Sequence, residues 1–329
     1  MRRVRYAENS AVLHVTPRRT GALLAAVLLG TLGGCTAPRP AAVADPATDG
    51  PVVLATFTVL ADMAQVVAGP DAQVASLTGP GTEIHGFEPS PDDLRRAAGA
   101  DLMLSNGLGL EVWLEALVAP LDIPTVVLTA GIDPIPVEGG QAHAGAAPLN
   151  PHAWMSPREG KQYVVAIAAA LSDLDPVHAE GYQRRAAAYQ AQIETVRTEL
   201  VDRLSTVPPG RRLLVTCEGA FSYLARDAGL QEAFLWPVNA ERQGTPQQVA
   251  AVIRSVRAAS APAVFCESTV PATAQQQVAR ETDVPFGGVL FVDSLSEPDG
   301  PVPTYLDLLR YDVDVIVAGL TGTGEGTDE

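Results

Sequence analysis

Apolar and polar positions follow two rhythms along the first half of this chain. Short apolar runs, VVLATF (Val52–Phe57), AQVASL (Ala72–Leu77), DLMLS (Asp101–Ser105) and PTVVLT (Pro124–Thr129), read as strands. Between and after them, Val59–Gly69, a stretch from Pro91, Leu110–Val118 and Pro157–Ser172 carry apolar residues at helical spacing. Pro91 suits a first helical turn, and Asp92 and Asp93 favour its positive end. Strands alternating with helices predict βα units around a mostly parallel sheet.

The alternation breaks at Asp175. From there to Leu204 the chain has no proline after Pro176 and no glycine after Gly181. Tyr182, Tyr189 and Val196 repeat at seven, as do Ala186, Ile193 and Leu200, which defines one apolar stripe. A helix of about 28 residues is roughly 40 Å long, the span of a domain rather than a connection within one. Val207-Pro208-Pro209-Gly210 stops it. Then the first rhythm returns: LLVTC (Leu213–Cys217), a helix through Phe221–Ala228, EAFLW (Glu232–Trp236), a helix from Pro246 to Ala259, AVFC (Ala263–Cys266), a helix from Pro271 to Thr282, GGVLFV (Gly287–Val292) and a last helix from about Tyr305 to Leu320. The fold class expected is α/β, two lobes with mostly parallel sheets joined by one long rigid linker helix. Residues 51–174 form the first lobe, 175–205 the linker helix and 206–320 the second lobe. The tail 321–329, TGTGEGTDE, is expected to be disordered, and its glycines follow no strand and precede no helix, unlike a phosphate loop.

Composition is most informative at the N-terminus. Arg2, Arg3, Arg5, Arg18 and Arg19 precede an apolar run, Gly21–Leu32, too short for a stable bilayer span. LGGC then ends at Cys35, and a cysteine after small residues at a cleavage point resembles a bacterial lipobox. That resemblance implies removal of residues 1–34 as a signal peptide and a lipid anchor on Cys35, tethering the protein to the outer face of the cell membrane. An ordinary signal peptide or a short anchor is the alternative. Residues 35–50, rich in Ala and Pro, read as a flexible tether. Hydrophobic residues make up 47% of the 329, which excludes a disordered chain. Without residues 1–34 the chain has 17 basic and 37 acidic residues, a net charge of −20. Such a surface repels phosphate backbones, so nucleic acid is excluded as a partner and a metal cation fits.

Two further cysteines, Cys217 and Cys266, each end a strand-like run. Outside the cytoplasm they are free to pair, and on neighbouring strands their Cα atoms would stand roughly 5 Å apart. Two buried free thiols are the alternative.

Ligands of α/β sheets collect beyond the carboxyl ends of the strands. Polar residues just after strand-like runs are therefore the candidates. His85 lies in the loop after Ala72–Leu77 and His152 in the loop after Pro124–Thr129; Glu218 directly follows LLVTC and Asp293 follows GGVLFV. Singly each has a bland reading, as a loop residue, a helix cap or a strand-end turn. Together, two imidazoles from one lobe and two carboxylates from the other would neutralise a divalent cation and suit Mn(II), Fe(II) or Zn(II). His14 falls in the signal segment, His143 on a Gly/Ala-rich loop and His178 near the start of the long helix, and none is a candidate.

TFTVLADM, EIHGFEPSPDD, NPHAWMSP, TCEGAFSYLARDAGL, LWPVNAERQGTPQQ, VFCESTV and FVDSLSEPDGPVPTYLDLLRYDV resemble, in one register over about residues 52–320, the metal-binding lipoproteins of manganese, zinc and iron ABC importers, the TroA-like or cluster A-I solute-binding family. The similarity is closest to the manganese-binding branch. It implies a monomeric receptor outside the cytoplasm that hands a divalent metal to a membrane permease and catalyses nothing. By motif the family's ligands fall on His85, His152, Glu218 and Asp293, and the disulfide of the cyanobacterial type on Cys217 and Cys266. Zinc importers of this family typically carry a histidine-rich acidic loop and a histidine as third ligand; here the loop holds only His143 and the third position is Glu218. The resemblance therefore favours Mn(II) as the transported ion, with Fe(II) or Zn(II) as alternatives.

Two rival classes remain. Two histidines and a carboxylate with open positions also describe the non-haem iron oxygenases, but two carboxylates fill this site, and no G-x-S-x-G, H-E-x-x-H or P-loop motif is present. A surface adhesin with a structural metal is the other. A long spanning helix further predicts small lobe and loop adjustments on binding rather than wide hinge closure.

Overall fold

A computed structural model of the chain describes residues 50–119, 121–137, 148–238 and 244–322. The signal segment with His14, Cys35, residues 36–49 of the tether, the loop histidine His143 and residues 323–329 of the tail lie outside the described residues. No described helix is long and apolar enough to cross a membrane.

The first lobe runs β1 (Val52–Ala55), α1 (Thr58–Ala68), β2 (Gln73–Ser76), α2 (Pro91–Ala98), β3 (Leu102–Ser105), α3 (Leu114–Val118), β4 (Thr125–Val127) and α4 (Pro157–Leu174). Its sheet has the order β2-β1-β3-β4, all parallel. Strand position decides side-chain pattern. Inner β3 is buried at every residue, whereas the edge strands β2 and β4 alternate with exposed positions. The helix expected from Leu110 begins four residues later, because Gly107, Leu108 and Gly109 all take positive φ and hold that stretch in a turn.

Helix α5 (Ala179–Leu204) spans 26 residues and buries Tyr182, Ala186, Tyr189, Ile193, Val196, Leu200 and Leu204, one stripe at helical spacing. The stripe packs on α1 and α4 of the first lobe and on the final helix α9 (Tyr305–Thr321). It starts four residues after Asp175. Residues 175–178 form a turn instead, closed by the His178 N–H on the Asp175 carbonyl at 3.2 Å, and the Asp175 carboxylate accepts from His178 Nδ1 at 2.6 Å and from the Tyr182 hydroxyl at 2.9 Å.

The second lobe has β5 (Leu213–Glu218), α6 (Ser222–Ala228), β6 (Gln231–Trp236), α7 (Pro246–Ala259), β7 (Val264–Glu267), α8 (Thr273–Thr282), β8 (Phe286–Leu290) and α9. β5 pairs in parallel with β6, and β7 with β8. β5 and β7 are neighbours, but they belong to separate hydrogen-bonded pairs. Side chains take the place of a ladder at this seam. Gln275 Nε2 donates to the Val215 carbonyl at 3.1 Å, and the Glu218 N–H points at both Glu267 carboxylate oxygens, at 3.3 and 3.2 Å. Cys217 and Cys266 close the seam with a disulfide, their Cα atoms 4.9 Å apart. The two cysteines are 49 residues apart in sequence, so removing the bond is expected to lower stability by about 4 kcal/mol on a loop-entropy argument. Urea unfolding of the Cys217→Ser, Cys266→Ser double variant checks this; an unshifted midpoint would contradict it.

One glycine lets α4 and the start of α9 approach closely. A Cβ on Gly160 of α4 would stand 2.2 Å from the Tyr305 hydroxyl, which donates to the Trp154 carbonyl at 2.5 Å. Gly160→Ala should therefore destabilise by ~1–3 kcal/mol through overpacking. Thermal unfolding should show a midpoint lower by several degrees, at roughly 2–4 °C per kcal/mol for a chain of this size.

Candidate metal centre

Local chemistry explains why each candidate side chain stands where it does. His85 sits on the loop between β2 and α2, which is pinned at several points. The Glu83 carboxylate accepts from the His85 N–H at 2.7 Å and the Gly86 N–H at 2.9 Å. Ile84 is buried, and its carbonyl accepts from Trp113 Nε1 at 3.2 Å. The loop ends in a capping box in which Ser90 and Asp93 exchange hydrogen bonds at the start of α2. The turn residues of EIHGFEPSPDD thus aim an imidazole inward from a strand end.

His152 precedes a single 3-10 turn, Ala153–Met155, before α4, whose first N–H groups are capped by Ser156. Trp154 lies against the His152 ring (centroids 5.2 Å) and donates from Nε1 to the Val292 carbonyl at 2.9 Å, joining the lobes beside Asp293. Glu218 is the last residue of β5, and Asp293 follows β8 by three residues. A second inter-lobe tie lies at the cleft. Ser294 Oγ accepts from the Gly81 N–H at 2.7 Å, and Thr58 Oγ1 accepts from the Leu295 N–H at 2.9 Å.

These elements bring all four candidates into one buried cluster. His85 Nε2 lies 3.1 Å from His152 Nε2, 3.4 Å from Glu218 Oε1 and 4.0 Å from Asp293 Oδ1. His152 Nε2 lies 3.8 Å from Glu218 Oε1 and 3.7 Å from Asp293 Oδ1. His152, Glu218 and Asp293 are at most 1% exposed, and His85, at 9%, is the outermost. Asp293 Oδ1 is buried without a hydrogen-bond partner among the described residues. An acceptor left so is costly unless a cation or proton meets it.

The titration behaviour of the cluster follows from burial and charge. Burial disfavours the charged form of His85, but the carboxylates of Asp293 and Glu218 outweigh it and raise the pKa. Burial and the neighbouring His85 hold His152 well below the usual imidazole range, so it is neutral at pH 7. Burial lifts Asp293 to about 6, against the pull of His85. Once His85 and Asp293 have given up their protons, two neutral nitrogens and two carboxylates make a donor set that balances a divalent charge.

Three residues outside the candidate set belong to the same region. Glu267, 2% exposed, lies under Glu218, and burial lifts its pKa to about 8. It follows β7's Cys266 as Glu218 follows Cys217, so the strand-end rule would have found it. Glu83 offers a carboxylate oxygen within 4.8 Å of ligand atoms of His85 and Asp293. Asn150 accepts from His152 Nδ1 at 2.9 Å. Cys217, Cys266 and Glu267 also cluster, but both sulfurs are bonded to each other and cannot act as thiolate ligands. His178 stands apart at the start of α5, its side chain 47% exposed.

Residues 53–319 match the protein family described as ZnuA, zinc-uptake complex component A, periplasmic. The chain is 49% identical over 268 residues to the iron-binding protein YfeA of Yersinia pestis, covering 81% of this chain and 85% of that one. It is 31% identical to the manganese-binding lipoprotein MntA of Halalkalibacterium halodurans, over 83% of this chain and 89% of the relative. Among solved structures, the Mn-bound periplasmic metal-binding protein of Candidatus Liberibacter asiaticus superposes with a TM-score of 0.77 at 37% identity, covering 82% of this chain and 99% of that one.

Proposed function

Since the chain belongs to the ZnuA family of periplasmic metal-uptake components, we propose that it captures a divalent transition metal outside the cytoplasm and delivers it to an ABC importer permease. His85, His152, Glu218 and Asp293 are the ligands in this reading, and Mn(II) is the cargo. The lipid on Cys35 holds the receptor, a monomer, at the membrane. The relatives are solute-binding proteins, and the same reading makes this chain a carrier rather than an enzyme.

The observation that supports it most is the convergence of four buried side chains from four separate segments on one point, with Asp293 Oδ1 left there without a hydrogen bond. A catalytic site would keep ligand positions open for substrate, and here two carboxylates complete the set. Manganese is favoured by the donor chemistry. Carboxylates that turn bidentate accommodate more than four bonds, whereas zinc prefers a tetrahedral set. Iron is a second reading, carried by one observation: the relative at 49% identity is named an iron-binding protein.

Calorimetry of the chelator-stripped protein against Mn(II), Fe(II) and Zn(II) tests the proposal. All three should bind at one site per chain, with zinc tightest because such sites follow the general metal order. Cargo is therefore decided by which metal restores uptake in cells lacking the receptor. A stripped protein that gives no heat with any of the three would end the proposal.

A further inference from the structure

We propose that Asn150 is a positioning residue that sets His152 and Glu218 as one pre-organised pair across the two lobes. The inference rests on the metal-binding reading of this site and deepens it. Asn150 is 1% exposed, and its single carboxamide faces both lobes. On one side Oδ1 accepts twice from His152, from the backbone N–H at 3.0 Å and from Nδ1 at 2.9 Å. A neutral imidazole that donates from Nδ1 keeps its lone pair on Nε2. Nε2 is the atom turned toward His85, Glu218 and Asp293.

On the other side Nδ2 donates to the Gly219 carbonyl at 2.6 Å and to Ser222 Oγ at 3.0 Å. Gly219 directly follows Glu218, and its own N–H donates to the Trp236 carbonyl at 3.0 Å. A Cβ there would meet the Pro237 carbonyl at 2.6 Å, so the turn accepts only glycine. The backbone carbonyl of Asn150 also accepts from the Tyr223 hydroxyl at 2.8 Å, and that oxygen accepts in turn from the Ile135 N–H at 3.1 Å. The amide orientation is unambiguous. Turned over, it would set NH2 against the His152 N–H and oxygen against the Gly219 carbonyl, two like-with-like contacts.

One side chain thus fixes the tautomer of a ligand on the first lobe and clasps the turn that carries a ligand on the second. His152 and Glu218 keep their spacing whatever His85, on its more exposed loop, does. Outer partners of metal-ligating histidines typically carry ~10–100-fold in metal affinity, and that is the loss expected for Asn150→Ala.

The experiment pairs two readouts on wild type, Asn150→Ala and Asn150→Asp. The first is the nitrogen-15 NMR spectrum of imidazole-labelled, metal-free protein, with the His152 signals assigned by their loss in His152→Gln. Wild type and Asn150→Asp, which keep the acceptor, should show His152 protonated at Nδ1 alone, and Asn150→Ala should lose that single form. The second is the release of Mn(II) into excess chelator, which should be faster in both variants because both lose the two bonds from Nδ2. A merely structural asparagine would lower the melting temperature without changing the tautomer. Asn150→Ala with the wild-type tautomer and Mn(II) affinity within about twofold would overturn the proposal. If that variant does not fold, Ser222→Ala removes one clasp partner and leaves the His152 acceptor in place. It should speed release with the tautomer intact, and unchanged release would overturn the inter-lobe coupling. A wild-type protein without Mn(II) affinity would sink the functional reading instead, while the metal-free tautomer comparison would still decide whether Asn150 orients His152.

Discussion

His152→Ala should lower Mn(II) affinity by more than ~100-fold, beyond what the loss of an outer hydrogen-bond partner costs. In free energy that is at least about 3 kcal/mol. His152 is fully buried and neutral, and its Nε2 lies within 4 Å of His85 and of both carboxylates, so no solvent molecule can easily take its place at the ion. Removing it leaves two carboxylates and one nitrogen, a harder and looser donor set. His85→Ala should act in the same direction, with a smaller loss because its more exposed position lets water enter as a substitute ligand. His178→Ala is the control, since that imidazole pairs with Asp175 on the surface. Calorimetry of the three variants decides the matter. A His152→Ala protein that binds Mn(II) within tenfold of wild type would remove the histidine from the site.

The second large effect concerns pH, and it has opposite signs for the empty and the loaded protein. The Asp293 carboxyl titrates near 6 when folded against an ordinary value of 3.8. The folded state therefore holds this proton more tightly than the unfolded chain does. Stability from the protonated group is full below about 3.8 and is lost as pH rises through 6, a change of about 3 kcal/mol. Glu267, lifted to about 8 from 4.5, extends the decline of the metal-free protein toward pH 8. Metal binding runs the other way. The ion must displace protons from Asp293 and from His85, whose pKa is raised, so affinity climbs as pH rises through about 6.

Asp293→Asn separates these terms. The amide has no charge to bury, so between pH 4 and 6 the metal-free variant should lose less stability than wild type while its Mn(II) affinity falls steeply at pH 7. Denaturant unfolding at pH 4 and pH 6, with and without the substitution, reads the first effect and calorimetry at pH 7 the second. Identical pH slopes for the two metal-free proteins would show that Asp293 is not held as described.

Much of this was legible in the sequence because it depends on periodicity and on strand ends. Parallel strands buried on both faces read as apolar runs, and the α5 stripe reads as a seven-residue repeat. The four ligand candidates were found because each stands just after such a run. The rest depends on side-chain direction, which periodicity does not carry. Asn150 lies in NPHAW beside a candidate, yet only the fold turns its amide nitrogen toward Gly219. Glu267 occupies the strand-end position of β7, but its carboxylate is turned to the Glu218 N–H whereas that of Glu218 faces the two histidines. The seam between β5 and β7 was also hidden, since side chains of Gln275, on α8, and Glu267, at the end of β7, stand in for ladder bonds.

That seam ties metal capture to the redox history of the chain. Glu218 and Glu267 stand next to the two bonded cysteines, so the disulfide braces the acidic wall of the cleft from behind. Where thiols stay reduced, as in the cytosol, the wall lacks that covalent fastener and rests on the hydrogen bonds of Gln275 and Glu267 alone.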